Sequence, residues 1–296
     1  MAKNSNLHKA KANKNDEFYT RMQDIEAEMQ HYRPHFKGKV VYCNCDDPIE
    51  RKFNKFFALN FEFLGLKKLI STSYSENGHG KVFIYTGDKN GNCQPDPEEF
   101  EVKELEGNGD FASPECVALL QEADIVVTNP PFSLFREYIN LLVANDKKFL
   151  VIGNMNAVNY LCPLIKDNKL WLGVSPRNMT FILPDGSESQ VNAVWFTNLT
   201  HKKRNEEIIC YQSYKKHPEV FPKYDNYDAI EVSKTKDIPE DYDGVMGVPI
   251  SFLDKYNPNQ FEIVGITYSK DKNPDIEAIR TDAKHRHVGY INGKKK

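Results

Sequence analysis

The sequence predicts an α/β fold: a mostly parallel sheet with an antiparallel last strand, followed by a smaller appended module. Three observations carry this reading. From about residue 16 to residue 200 strand patterns alternate with helix patterns, as in proteins built on a parallel sheet. Segments such as Asp124–Thr128 and Phe149–Ile152 are nearly continuous apolar runs, as strands covered on both faces must be. After about residue 200 the alternation stops, and Tyr, Asp, Pro and Lys become frequent. The predicted division is a basic N-terminal arm over 1–15, an α/β domain over 16–200 and a loop-rich module over 201–296.

Lys39-Val40-Val41-Tyr42-Cys43 reads as the first strand. Asp47 then suits a helix N-cap, with Pro48 at the first helical position, where a missing N–H costs nothing. Ile49, Phe53, Phe56 and Phe57 continue that helix at i, i+4, i+7 and i+8, one apolar face. Lys67–Thr72 is the second strand and Lys81–Tyr85 the third, while Asp88–Gly107, rich in Gly, Pro and acids, reads as a surface excursion. Ser113-Pro114 opens another helix by the same cap-then-proline logic and runs to near Glu122. Asp124–Thr128 is the next strand; Leu134, Phe135, Tyr138, Ile139, Leu142 and Val143 form a helical stripe; Phe149–Ile152 is a further strand. Thr180–Leu183 and Val191–Phe196 flank a Pro-Asp-Gly turn signal and predict an antiparallel pair closing the sheet.

A chain of 296 residues has room for one large domain and a smaller one. No apolar run approaches the length of a membrane span, which excludes a bilayer-crossing reading. The segment Met1-Ala2-Lys3-Asn4-Ser5-Asn6 is polar and lacks the apolar core of a secretory signal, so the expected compartment is the cytoplasm. Of the six cysteines only Cys43 and Cys45 are close, and a lone C-x-C makes a poor zinc site, so neither a metal nor a disulfide framework is expected. Net charge is −3, yet the basic groups cluster. Lys3, Lys9, Lys11 and Lys14 sit in an arm without acids, Lys202-Lys203-Arg204 form a second cluster, and Lys284, Arg286 and Lys294–Lys296 a third.

The sharpest chemical feature is Asn129-Pro130-Pro131-Phe132, directly after a buried strand and before a helix. In an open α/β sheet, ligands bind outside the carboxyl ends of the strands. Successive prolines fix their own φ angles and remove two donors, leaving a rigid turn that presents carbonyl oxygens. The Asn129 side-chain oxygen and the Pro130 carbonyl can both accept from one planar –NH2, localising its lone pair and stabilising the charge that develops on nitrogen. Phe132 offers a flat apolar face for stacking.

This loop resembles the catalytic motif of amino-methyltransferases that use S-adenosylmethionine. Lys14-Asn15-Asp16-Glu17-Phe18-Tyr19-Thr20 resembles the N-terminal cofactor motif of adenine methyltransferases, which places Phe18, Tyr19 and Thr20 at the methionine end. Gly109-Asp110-Phe111 resembles the motif whose Asp accepts from the cofactor's adenine amine, with Phe beside the ring. Trp195-Phe196-Thr197-Asn198-Leu199, Tyr224–Ile230 and Gly247-Val248-Pro249 narrow the likeness to the EcoRI-type DNA adenine methyltransferases, over roughly residues 6 to 265.

The resemblance implies a Rossmann-like class I methyltransferase sheet, a cofactor-binding catalytic domain and a C-terminal target-recognition module. The implied activity is methylation of N6 of an adenine flipped out of double-stranded DNA by a monomeric enzyme, with a cognate restriction endonuclease as partner. Lys9, Lys11, Lys14, Lys202, Lys203 and Arg204 would neutralise phosphates. The loop after the first strand, Cys43-Asn44-Cys45-Asp46-Asp47, is expected to meet the cofactor, though it lacks the usual glycines. The second strand's end, Ile70-Ser71-Thr72-Ser73, lacks the usual ribose-binding acid; Asp46 or Asp47 can take that role, and Asp47 can equally be only a helix cap. Arg21 stands where such enzymes commonly have Pro.

Two other functions fit parts of the pattern. Loops of this type also serve methylation of RNA adenine and of protein glutamine amides, although the second module and basic arms favour DNA. A non-catalytic DNA-binding protein on the same fold would explain the missing glycines but not the intact catalytic loop.

Overall fold

The computed structural model describes residues 19–46, 51–76, 78–183, 185–225, 227–266 and 288–293. The chain divides into two compact units, Met1–Met155 with Gly173–Leu199, and Asn156–Leu172 with Thr200–Lys296. Among the described residues no helix is long and apolar enough to cross a membrane, and no group of three or more His, Cys, Asp and Glu could hold a metal ion.

The first unit opens with β1 (Tyr19–Thr20), α1 (Met22–Met29) and α2 (Arg33–Phe36), then β2 (Val40–Cys43), α3 (Lys52–Leu59) and α4 (Phe61–Leu64). β3 (Lys68–Ser73), β4 (Lys81–Tyr85), β5 (Glu101–Glu104), α5 (Pro114–Glu122), β6 (Ile125–Thr128), α6 (Phe135–Ala144) and β7 (Lys148–Asn154) follow. After α7 (Val158–Lys166) and β8 (Trp171–Leu172), both in the second unit, the chain returns with β9 (Met179–Ile182), β10 (Glu188–Val191) and β11 (Ala193–Thr197).

Within this unit the strand order of the large sheet is β5-β4-β3-β2-β6-β7-β11. β3, β2, β6 and β7 pair in parallel. β4 and β5 extend one side antiparallel, and β11 runs antiparallel to β7 on the other. The parallel centre is apolar as expected: Val41, Tyr42, Cys43, Val126, Val127 and Phe149–Ile152 are all fully buried. Helix α5 starts as its sequence requires, with Ser113 accepting from the Cys116 N–H at 3.3 Å and Pro114 beginning the helix.

Three details differ from the sequence expectation. Thr180–Leu183 and Val191–Phe196 do not pair with each other to close the sheet. Instead β9 pairs with β10 and with β1 in a separate three-stranded sheet, and β11 alone joins β7. The chain breaks at Asn192, whose carbonyl accepts from the Met155 N–H. The acid-rich excursion contains a strand, β5, fully exposed in side chains and held by backbone pairing to β4. The helix expected from Pro48 begins at Lys52 among the described residues; Asp47–Glu50 lie outside them. Its first N–H groups, from Phe53 and Asn54, are met by the Asp46 carboxylate at 3.2 and 2.7 Å.

The second unit carries a four-stranded sheet in the order β12-β13-β15-β14, from Ala229–Glu231 (β12), Val245–Pro249 (β13), Phe261–Ile266 (β14) and Val288–Gly293 (β15). β12 and β13 are parallel and the remaining pairs antiparallel.

A buried carboxylate braces the first unit. Glu28 on α1 is fully buried and accepts from the Tyr32 hydroxyl (2.8 Å) and from the backbone N–H groups of Val174 (2.8 Å) and Ser175 (2.7 Å). Removing it strands the buried Tyr32 hydroxyl and two part-buried backbone donors. Glu28→Ala is expected to lower unfolding stability by about 2–4 kcal/mol, read as a lower urea midpoint at unchanged m-value. A midpoint equal to wild type would mean that this contact braces nothing.

Candidate active site

The carboxyl ends of the parallel strands carry the loops that the sequence singled out. Thr128, the last residue of β6, is fully buried, and its hydroxyl oxygen accepts from the Cys45 N–H at 3.1 Å. That bond ties the start of Asn129-Pro130-Pro131-Phe132 to the loop after β2. Asn129, Pro131 and Phe132 are half-buried and Pro130 is buried. The Pro131 carbonyl is taken by the Leu134 N–H at 3.0 Å. Phe135 then enters α6 against Gly153 of β7, where a Cβ would lie 2.3 Å from the Phe135 ring. Only glycine permits this close seat, so β7 helps fix where the loop hands over to its helix.

In the loop after β2, Cys43 and Asn44 are buried and Cys45 is half-buried. Burial pushes both thiols well above the ordinary range, with the Asp46 charge acting in the same direction on Cys43 and with Cys116, Asp110 and Asp46 on Cys45. Asp46 is buried, and its two oxygens meet the helix N–H groups described above. The hydroxyls at the end of β3 are likewise engaged: Ser71 accepts from Asn54 Nδ2 (2.7 Å), while Thr72 bonds Tyr42 (3.1 Å) and donates to the Asn44 carbonyl (3.4 Å).

Gly109-Asp110-Phe111 lies against the end of β3. Gly109 has φ +83°, and a Cβ there would meet the Ser73 carbonyl oxygen at 2.4 Å. Asp110 is exposed and accepts from the Ala112 N–H at 2.8 Å. Phe111 is buried edge-on against Tyr138, with ring centroids 5.1 Å apart. Tyr19 and Thr20 form β1, where Thr20 pairs with Phe181, and Phe181 meets Phe132 edge-on at 6.0 Å. The segment that the resemblance assigns to the methionine end of the cofactor is thus linked through Phe181 to the Asn129–Phe132 loop.

The residues fit a bound cofactor on one further count. Thr20 Oγ1 and Asn44 Nδ2 are buried with no hydrogen-bond partner among the described residues. Buried polar atoms without partners are uncommon and costly, and both belong to segments already assigned to the cofactor. Phe18, Asp47, Lys9, Lys11 and Lys14 lie outside the described residues.

The second basic cluster is not uniform. Lys202 is exposed and Lys203 half-buried, but Arg204 is buried with its guanidinium 3.6 Å over the Trp171 ring. Burial lowers its pKa to about 10. That placement suits an anchor within the second unit rather than a phosphate contact.

Sequence reasoning missed Thr128, Tyr138 and Glu28 as polar participants. Tyr138 was legible only as part of an apolar stripe, although a buried tyrosine hydroxyl needs a partner. The stretches that narrowed the family resemblance are largely scaffold. In Trp195–Leu199, Thr197 donates to the Phe149 carbonyl (2.7 Å) and Asn198 clamps Phe149 N–H and Lys147 carbonyl (both 2.9 Å). Tyr224–Ile230 and Gly247-Val248-Pro249 meet through the parallel pairing of β12 with β13.

Comparison with known proteins shows the family of the chain. The family described as adenine-specific methyltransferase EcoRI matches residues 6–296. Type II methyltransferase M.EcoRI from Escherichia coli is 48% identical over 291 residues, covering 89% of each chain. Type II methyltransferase M.MgeORF184P from Mycoplasma genitalium is 38% identical, covering 98% of this chain and 96% of its own. Type II methyltransferase M.MpnI from Mycoplasma pneumoniae is 37% identical, covering 98% and 95%. No solved structure matches the chain significantly.

Gly109→Ala forces a left-handed backbone on a residue with a Cβ and drives that atom into Ser73. The expected loss is roughly 1–3 kcal/mol of stability, measured by urea unfolding. Wild-type stability in this variant would show that the close approach is not a constraint.

Proposed function

The chain belongs to the EcoRI family of adenine-specific methyltransferases, and from that premise we propose that it methylates N6 of adenine in double-stranded DNA with S-adenosylmethionine. The observation that carries the assignment of residues is the Asn129-Pro130-Pro131-Phe132 loop at the carboxyl end of a buried parallel strand, tied to the β2 loop through Thr128 and Cys45. The large, mostly parallel sheet is read as the Rossmann-like sheet of class I methyltransferases, and residues 16–200 as the catalytic domain. Residues 201–296 are read as the target-recognition module, which would sort DNA sequences through the grooves.

When bound, the cofactor supplies an electrophilic methyl group on a positively charged sulfur. The protein's part is to hold and prepare the acceptor. Asn129 Oδ1 and the Pro130 carbonyl accept the two amine hydrogens of adenine, directing the nitrogen lone pair out of the ring plane. The same acceptors stabilise the positive charge that grows on that nitrogen, so they act more strongly in the transition state than before it. Phe132 stacks on the flipped base, offsetting part of the unstacking cost of a few kcal/mol. Asp110 would accept from the cofactor's own adenine amine, with Phe111 beside that ring, and Phe18, Tyr19, Thr20, Cys43, Asn44 and Asp46 or Asp47 would hold the rest. Lys9, Lys11, Lys14, Lys202 and Lys203 neutralise phosphates. The enzyme works as a monomer in the cytoplasm, paired with a restriction endonuclease of the same specificity.

The test is methyl transfer from labelled S-adenosylmethionine to duplex DNA, RNA and a protein extract in parallel, followed by nucleoside analysis. Label in N6-methyladenine from DNA alone is the expected result; label confined to RNA or protein would overturn the DNA assignment. Asn129→Ala is expected to cut turnover by roughly 100-fold or more while cofactor affinity stays near wild type. Asp110→Ala should raise the KM for cofactor by about tenfold, with turnover largely recovered at saturation.

A further inference from the structure

Tyr138 lies on α6, the helix entered directly from the Asn129–Phe132 loop, and is fully buried. Its hydroxyl donates to Asn44 Oδ1 in the loop after β2. The other end of that amide, Nδ2, is buried with no hydrogen-bond partner among the described residues, although Asn44 is only 3% exposed. A buried amide with one end satisfied and the other unpartnered leaves desolvation of the N–H groups uncompensated. The arrangement becomes favourable once an acceptor arrives.

The surroundings indicate which acceptor. Around Asn44 the protein's own groups are engaged with one another: Thr72 with Tyr42 and the Asn44 carbonyl, Ser71 with Asn54, Asp46 with the start of α3. The Tyr138 ring also meets Phe111 of the Gly109-Asp110-Phe111 segment edge-on. The orphaned donor thus belongs to one segment that the resemblance assigns to the cofactor, and the tyrosine that holds its amide touches another.

We propose that Tyr138 is a positioning residue for the cofactor site, orienting the Asn44 amide so that Nδ2 donates to an oxygen of S-adenosylmethionine. The inference rests on the methyltransferase reading above and adds to it a specific atom and the group that aims it. An Asn amide is ambiguous on its own, since rotation by half a turn exchanges donor and acceptor. In this structure the Tyr138 phenol donates to Oδ1, which leaves Nδ2 as the unpartnered end, and burial keeps Tyr138 protonated, and so able to donate, by pushing its pKa far above the usual tyrosine range. It also explains how the site can dispense with an acid at the end of β3: a ribose hydroxyl or the methionine carboxylate is met by a donor, not by a carboxylate.

The test is calorimetric titration of S-adenosylhomocysteine, with no DNA and no turnover, into wild type and variants whose thermal melts confirm folding. Asn44→Asp keeps the shape but removes the donor, and it is expected to weaken binding about tenfold or more. Tyr138→Phe keeps the ring against Phe111 and should weaken binding by roughly three- to fivefold, appearing in the cofactor KM more than in kcat. Because Tyr138 acts through Asn44, adding Tyr138→Phe to Asn44→Ala should cost nothing further, whereas a merely structural tyrosine would give additive losses. Repeating the titration with 5′-methylthioadenosine separates the acceptors: a loss shared by both ligands points to the ribose, a loss confined to S-adenosylhomocysteine to the carboxylate. Wild-type affinity in Asn44→Asp, or additive losses in the double variant, would overturn the proposal while leaving the methyltransferase reading intact. Failure of wild type itself to bind would overturn that reading and this inference with it.

Discussion

The parallel register of β3, β2, β6 and β7 is the constraint on which the rest of the first unit depends. Pairing Val41 with Ile125 and Val40 with Lys68 sends all four strands in one direction. Their carboxyl ends therefore deliver Asn44, Thr72, Asn129 and Asn154 to one edge of the sheet. A one-residue slip in β6 would turn Thr128 away and break its bond to Cys45, and with it the link between the two loops. The apolar run that buries β6 on both faces makes such a slip costly, so the chemistry is held in place by packing well below it.

The same economy governs the buried polar groups. Glu28, Asp46 and Asn198 each satisfy backbone N–H groups that neither helix nor sheet provides for. Each is the local solution to a chain that must turn inside the protein, where an unpaired donor costs about 1–3 kcal/mol. Thr20 Oγ1 and Asn44 Nδ2 are buried without a hydrogen-bond partner among the described residues, as are Trp195 Nε1 and the terminal nitrogens of Arg204. What sets the first two apart is that they belong to segments the family resemblance assigns to the cofactor.

How much could be read in advance divides along physical lines. The parallel strands were legible because continuous apolar runs have few alternative uses, and α5 because Ser113 and Pro114 state its start in chemical terms. The turn at Asn129–Phe132 was legible as a turn because two prolines after a buried strand leave the backbone little choice. Pairing partners were not: β9 and β11 both read as strands beside one turn signal, and only the break at Asn192 and the presence of β1 decide which sheet each joins. Nor could the pattern tell Asp46 from Asp47, since capping depends on where α3 starts, and helix starts shift by several residues at little local cost. Tyr138 shows a deeper limit. Periodicity reports that a side chain points inward but is silent on what its hydroxyl finds there.

That limit bears on how a family signature should be used. Trp195–Leu199 narrows the resemblance sharply, yet Trp195 and Phe196 are core side chains and Thr197 and Asn198 close the edge between β7 and β11. Changing such residues would unseat a strand. Arg204 makes the same point from the other direction: a basic triplet suggested phosphate contacts, but one member lies flat on Trp171, away from solvent. Charge in a sequence is therefore weak evidence until burial is known, whereas a rigid turn at the carboxyl end of a buried parallel strand stands where open α/β sheets bind ligands. Asn129 and Pro130 occupy such a strand end, directly after the fully buried Thr128.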